Sequence, residues 1–374
     1  MLGNISDHYG AFKNYFWAPR HWLPPGMPWS ALSRENGETY PDIQDMYYPI
    51  AFAFVFLLFR AAFEWGVARP VGKFFGITDC DSELTNIFRR LIGRFRGADD
   101  TSANDHHPSD HKISNGVAYS ERRNGFVRKN NNNNNNYYAN STVAVKKRKK
   151  GIPKSKLDKF SESAWRGFYY GSVFCYGLWT LWDKPWLWDT AYCWYGFPFQ
   201  EISTDVWWYY MVEAGFYWSL TMSQFLDNQR KDFTMNFVHH IATILLLWFS
   251  WADNLVRVGS LVLVVHDAAD FWLEIAKMAK YAGNDRLCEA LFSVFIVTWF
   301  VTRLGIFPFW IVYSTLVEAA ALAGFATVYL VLNSLLVLLM ALHVMWSVMI
   351  INVLRNIMTK RDPGDVRSED EDSD

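Results

Sequence analysis

Apolar stretches long enough to cross a bilayer alternate along the chain with charged connectors. A bilayer core takes a helix of about 20 mainly apolar residues. Seven segments fit that length: 46–68, 165–182, 206–225, 234–251, 258–279, 289–313 and 325–354. The last is long enough to tilt or to run past the membrane. Residues 79–160 and 360–374 are charged or polar instead. This segregation explains how a chain with 51% hydrophobic residues has a mean hydropathy of only −0.04. It predicts an all-α polytopic membrane bundle of about seven helices with soluble appendages. The expected divisions are an N-terminal segment 1–45, a first span 46–68, a loop 69–154, a membrane domain 155–355 and an acidic tail 356–374.

Lys and Arg in short loops set orientation, because cytosolic loops carry the excess positive charge. Arg69, Lys73, Arg89, Arg90, Arg94, Arg96 and the run 146–150 follow the first span; Arg230 and Lys231 follow the third, and Arg286 the fifth. Arg355, Lys360 and Arg361 follow the last. With seven spans all lie on one side, so the N-terminus is expected in the lumen and the C-terminus in the cytosol. The sequon Asn4-Ile5-Ser6 is then lumenal and open to glycosylation, whereas Asn140-Ser141-Thr142 is cytosolic and unused. The N-terminus has no apolar core of a cleaved signal peptide, and Leu2 excludes myristoylation there.

The loop 97–150 holds seven consecutive asparagines, Asn130 to Asn136, before Lys-Lys-Arg-Lys-Lys. Such composition cannot bury a core. The basic run reads as a solvated topogenic segment near anionic headgroups. With a net charge of −1, no nucleic-acid partner is expected. In the tail, Ser368 has acidic residues at +1 and +3, which suits a phosphosite as well as a solubilising tail. The four cysteines form no Cys-x-x-Cys pair, so neither a disulfide framework nor a metal site is expected.

The chemistry lies inside the spans. A charged group at the centre of a span costs roughly 2.5–3.5 kcal/mol on insertion scales. Yet the fifth span carries His266, Asp267, Asp270, Glu274 and Lys277, and the fourth carries His239 and His240. His266, Asp270, Glu274 and Lys277 recur at i, i+4, i+8 and i+11, one helical face, with Asp267 beside it. The fourth span enters from the cytosol and the fifth returns, so both polar sets sit at similar depth. Glu274 and Lys277 read as a supporting pair at the helix end, and Arg60 with Glu64 as a structural pair. Arg303 fits either a clamp for an anionic ligand or an internal counter-ion. Adjacent histidines point about 100° apart on a helix, which hinders joint chelation. No His-x-x-x-His box lies within the spans, and no Gly-x-Ser-x-Gly or Walker pattern occurs. Histidine with carboxylate partners suits general-base or nucleophilic acyl transfer.

The runs Asn236-Phe-Val-His-His-Ile-Ala-Thr243, Ser250-Trp-Ala-Asp-Asn254, Leu263-Val-Val-His-Asp-Ala-Ala-Asp270 and Thr302-Arg-Leu-Gly-Ile-Phe-Pro-Phe-Trp310 closely resemble the signature of the ceramide synthases, in the TLC-domain family. The resemblance covers about residues 155–355. It implies an enzyme of the endoplasmic reticulum membrane that joins a sphingoid base to the acyl group of an acyl-CoA, with membrane lipids around it. It implies no cofactor, and it admits assembly as a homo- or heterodimer with another ceramide synthase. The family's catalytic histidines and aspartates correspond to His239, His240, Asp267 and Asp270, with His266 as the histidine of the His-Asp pair. Its chain-length region corresponds to the connection 314–322. Many animal members carry a homeobox-like domain in the first cytosolic loop, which the Asn-rich segment here lacks. Under this resemblance His240 is the general base, with Asp267 or Asp270 orienting an imidazole or holding the substrate ammonium, or else His239 attacks the thioester; both routes stay open. Arg230 and Lys231 are candidates for the CoA phosphates. The competing readings are a non-enzymatic lipid-sensing or lipid-transfer bundle and a proton-coupled transporter. The second predicts internal repeats, which the sequence does not show.

Overall fold

The computed structural model describes residues 2–23, 26–32, 39–77, 155–226, 232–323 and 327–359. Among them every regular element is a helix. Two short N-terminal helices, α1 (Leu2–Phe16) and α2 (Pro19–Trp22), precede a long rod. The rod consists of α3 (Tyr48–Phe63), a wider π-helical turn Glu64–Ala68 and α4 (Arg69–Phe74). Then come α5 (Lys156–Leu181), α6 (Thr204–Leu226), α7 (Phe233–Ala252), α8 (Val256–Tyr281) and α9 (Asp285–Trp299). π-Helical segments Phe300–Val312 and Ser314–Glu318 continue α9 into α10 (Ala319–Leu322), and α11 (Thr327–Met358) closes the bundle.

Four stretches are long and apolar enough to cross a membrane: Ile43–Phe74, Phe233–Ala252, Asp285–Leu322 and Val328–Ile357. They correspond to the first, fourth, sixth and seventh expected spans. Helices α5, α6 and α8 occupy the other three and are as long, with 26, 23 and 26 residues. Their polar content separates them from the four. They shelter that content: Glu162, Glu213, His266, Asp267 and Glu274 are all buried. A polar residue at membrane depth is tolerable when it faces protein rather than lipid. The first span does the opposite, exposing Phe54, Val55, Leu58 and Trp65.

Local chemistry sets the helix ends. Ser155 opens α5 with a capping box: its Oγ accepts from the Asp158 amide at 3.1 Å, and Asp158 Oδ2 accepts from the Ser155 amide at 3.2 Å. The same Asp158 pairs with Arg69, tying α5 to the end of the first rod. The expected pair Arg60–Glu64 is present at 2.7 Å. Helices α7 and α8 are joined by a turn in which Asn254 has φ 56°, an αL conformation that asparagine tolerates. Its Nδ2 donates to the carbonyls of Pro198 (2.6 Å) and Gln200 (2.8 Å), fastening the 185–203 segment to this turn.

One element differs from its sequence reading. Residues 314–322 were expected to connect the last two spans, but they are helical and prolong the sixth span to Leu322. Ala319-Ala-Ala-Leu322 is a strong helix former. Glu318 is held at that level by Ser314 Oγ (2.5 Å) and Thr190 Oγ1 (2.8 Å). Cys175, Cys193 and Cys288 are free thiols.

Candidate active site

Helix α8 runs through the middle of the bundle, packed along α5 and α9. It presents His266 and Asp267 fully inward, and Glu274 two turns further on. Glu274 binds Lys277 Nζ at 2.7 Å, the supporting pair that their spacing predicts. His266 Nδ1 lies 2.6 Å from the Val262 carbonyl one turn back. A carbonyl only accepts, so Nδ1 carries the hydrogen and Nε2 keeps its lone pair. His266 Nε2 faces His343 Nε2 of α11 at 3.2 Å. His343 must therefore donate, which leaves its buried Nδ1 an acceptor without a partner.

Arg303 enters from the π-helical stretch Phe300–Val312. Its Nη2 donates to the His266 carbonyl (2.6 Å) and to Asp270 Oδ2 (3.2 Å), and the guanidinium lies 5.1 Å from the Trp299 ring centroid. Arg303 is thus the internal counter-ion of Asp270. Pro308 lies in this same widened stretch, where it can supply no backbone N–H.

Asp267 is completely buried and accepts from the Tyr209 hydroxyl at 3.4 Å. Tyr209 reaches it because Gly177 leaves room: a Cβ there would lie 2.6 Å from the phenol oxygen. Glu213, one turn along α6 from Tyr209 and 1% exposed, comes within hydrogen-bond reach of Asp267.

On α7 the two histidines have ring centroids 5.8 Å apart and rings 51° from parallel. His239 abuts the Trp346 ring edge-on at 5.3 Å. His240 Nδ1 is 3.1 Å from Gln224 Oε1, while Gln224 Nε2 donates to the Phe233 carbonyl at 2.7 Å. With the amide nitrogen committed to a carbonyl, Oε1 accepts from His240 Nδ1–H. The Nε2 lone pair of His240 is then the one available for taking a proton. Among the described residues no hydrogen bond joins His239 or His240 to Asp267 or Asp270. Tyr217 stands between the two sets: its ring lies 6.3 Å from His239 and 6.5 Å from His240, and its phenol is within electrostatic reach of Asp267, Glu213 and Asp270. Gln224, rather than an aspartate, is the group bonded to a histidine of the pair.

Tyr217 and His266 also line one end of an apolar cavity of about 670 Å³, its opening included. Val262, Leu263, Leu336 and Leu339 form its walls, and Leu255, Trp194 and Tyr329 line it further along. From His266 to Leu255 the helix rises about 16 Å.

Five residues that matter here escape a reading by motif: Tyr209, Glu213, Tyr217, Gln224 and His343. Two of them carry a signal. Glu213 is the single charged residue of 206–225, and His343 the single Asp, Glu, His, Lys or Arg of 327–354. The cost of an ionisable group in a span marks both. Arg230, Lys231 and Ser368 lie outside the described residues, and Asn4 is in α1. Among the described residues no group of three His, Cys, Asp or Glu side chains is arranged to hold a metal ion.

Residues 159–352 match the TLC domain family. Over nearly the whole chain the sequence is similar to ceramide synthases. It is 36% identical to ceramide synthase 5 of Homo sapiens over 96% of this chain and 88% of that protein. It is 35% identical to ceramide synthase 3 of Homo sapiens over 97% and 90%. Ceramide synthase hyl-1 of Caenorhabditis elegans is 39% identical over a shorter region, 58% of this chain and 62% of that protein. By the extent of these matches and the residues they enclose, the chain belongs to the TLC-domain family and, within it, to the ceramide synthases.

Proposed function

We propose that the protein is an acyl-CoA-dependent N-acyltransferase that converts a sphingoid base to a (dihydro)ceramide in the endoplasmic reticulum membrane. The observation that carries this reading is the position of the histidine pair. His240, its Nε2 free to take a proton, shares Tyr217 with a buried carboxyl cluster, and Tyr217 with His266 lines one end of an apolar cavity. An acyl chain needs such a cavity, and an amine needs both a base and nearby negative charge.

In this reading seven helices span the membrane, with the N-terminus lumenal and the C-terminus cytosolic. The CoA phosphates stay in water at the cytosolic mouth near Arg230 and Lys231, and the acyl chain lies along Val262 and Leu263. The sphingoid ammonium is drawn to Asp267 and Asp270. After it loses one proton, the amine attacks the thioester carbonyl and the C–S bond breaks. His240 Nε2 takes the second nitrogen proton and returns it to the departing thiolate. His239 stands beside it as the alternative nucleophile, forming an acyl-imidazole that the amine then resolves. Arg303, paired with Asp270, holds net charge in the cluster near neutrality.

The test uses membranes carrying wild-type, His239→Ala or His240→Ala protein, supplied with a sphingoid base and a panel of acyl-CoAs. Ceramide is measured by mass spectrometry. Production by wild type and its loss in both variants is expected; equal output from all three overturns the reading. An acyl adduct on His239 before the base is added supports the covalent route, and its absence with sequential kinetics supports direct attack.

A further inference from the structure

Glu213 has no role in the chemistry described so far, yet it is among the most buried charged side chains of the molecule. Its neighbour is Asp267, with which it is in hydrogen-bond reach. Glu213 Oε1 and Asp267 Oδ1 are both buried without a hydrogen-bond donor. An ionised carboxylate is acceptor-only, so two carboxylates side by side cannot satisfy each other. One proton between them makes one side chain a donor and the other an acceptor. Among the described residues no cation forms an ion pair with Glu213. The titratable groups facing the pair are Tyr169 and Tyr170 from α5, Tyr209 and Tyr217 from α6, and Asp270 from α8; Arg303 acts from beyond Asp270. Burial of both side chains and the further carboxylate of Asp270 work against a second negative charge there, while the Tyr209 hydroxyl, donating to Asp267, holds the one that remains. A purely structural carboxyl would sit with an arginine or lysine, as Glu162 does with Arg166 at 2.6 Å.

We infer that Glu213 and Asp267 form a proton-sharing carboxyl pair that receives the proton of the substrate ammonium, with Glu213 a positioning residue acting through Asp267. The catalytic half of this inference rests on the N-acyltransferase reading; the shared proton does not. The resting pair holds one proton and one negative charge. It takes a proton from R–NH3+, becoming neutral and leaving R–NH2 as the nucleophile. The new C–N bond forms as the C–S bond breaks, and the second nitrogen proton passes through His240 to the thiolate. The pair then releases its extra proton to water. One ammonium and one thioester give one amide, one thiol and one proton, which balances.

The experiment pairs a direct readout of the proton with kinetics. Purified protein in detergent is titrated by infrared difference spectroscopy in H2O and D2O, as wild type, Glu213→Gln and Glu213→Asp. A protonated-carboxyl band at neutral pH, deuterium-sensitive, is expected in wild type and in Glu213→Asp and absent in Glu213→Gln. Unfolding temperature checks that Glu213→Gln keeps the fold. With sphingoid base as the varied substrate, Glu213→Gln should lower kcat/KM about tenfold, equivalent to roughly 1.4 kcal/mol. Its alkaline limb should move to higher pH, because glutamine cannot lose the second proton, and the dianion that forms in wild type holds the amine as ammonium. Glu213→Asp should restore part of the rate and the wild-type profile. Absence of the band in folded wild type, or its survival in Glu213→Gln, overturns the shared proton whatever the activity. A band that behaves as expected with unchanged kinetics and pH profile in Glu213→Gln overturns the catalytic role. Loss of ceramide synthesis in wild type itself overturns the function and leaves the spectroscopic result to stand.

Discussion

His240 Nδ1 lies 3.1 Å from Gln224 Oε1, and the amide nitrogen of that glutamine is tied to the Phe233 carbonyl 2.7 Å away. The glutamine therefore cannot flip without breaking a bond, and it selects one imidazole tautomer. Gln224→Leu should reduce ceramide formation about tenfold, since one orienting hydrogen bond contributes on the order of 1 kcal/mol. His240→Ala should cost about 10²–10⁴-fold, as expected for a lost general base. Initial rates at matched protein levels check the ranking; Gln224→Leu as damaging as His240→Ala would argue that the glutamine itself meets substrate.

Arg303 and Asp270 are unequally buried, with side chains 4% and 27% exposed. Asp270→Ala strands a desolvated guanidinium, whereas Arg303→Met strands a carboxylate that protein encloses less completely. Breaking such a pair costs about 3–5 kcal/mol when the remaining charge is deeply buried. The unfolding temperature in detergent should therefore fall further for Asp270→Ala than for Arg303→Met. A double Asp270→Leu/Arg303→Met change should recover most of the stability without recovering activity.

Gly177 admits Tyr209 to the Asp267 carboxyl. A methyl group there overpacks the contact, at a cost of about 1–3 kcal/mol. Gly177→Ala should lower both stability and turnover, while Tyr209→Phe should lower turnover with a smaller loss of stability. Wild-type turnover in Gly177→Ala would show that Tyr209 is dispensable to Asp267.

Val258 lines the cavity about two helical turns from His266. Val258→Trp should fill the distal part while leaving the histidines untouched. The ceramide products should shift to shorter N-acyl chains at a largely preserved total rate. Product profiles across an acyl-CoA panel measure this; an unchanged profile would place the acyl chain elsewhere.

Asn4-Ile5-Ser6 should be glycosylated and Asn140-Ser141-Thr142 should not, if the N-terminus is lumenal and the chain crosses seven times. Asn4→Gln should remove the glycosidase-sensitive mobility shift, and Asn140→Gln should leave it. The reverse pattern would invert the topology.

Much of the candidate site is legible in the sequence alone, because the bilayer makes polar intrusions conspicuous. His239, His240, His266, Asp267 and Asp270 stood out for that reason alone. Local spacing was equally informative: Arg60–Glu64 and Glu274–Lys277 are neighbours by helical geometry and pair as expected. The same cost argument reaches Glu213 and His343, which match no motif and are found only by asking what a lone ionisable residue does in an apolar run. Residues 314–322 escaped it, because an Ala-rich stretch beside a span gives no sign of whether the helix stops or continues.

Helical periodicity and the penalty for unshielded charge thus set the class of the molecule and single out the candidate residues for its chemistry, since both act within one helix. Partnership is another matter. Gln224 with His240, Arg303 with Asp270 and His266 with His343 are 16, 33 and 77 residues apart, and each joins two helices. Which imidazole nitrogen keeps its lone pair, and which carboxylate has a cation, follows from how α6, α7, α8, α11 and the Phe300–Val312 segment pack together. Those choices belong to the tertiary structure, because a hydrogen bond between helices depends on their relative rotation and depth, and no local pattern encodes either.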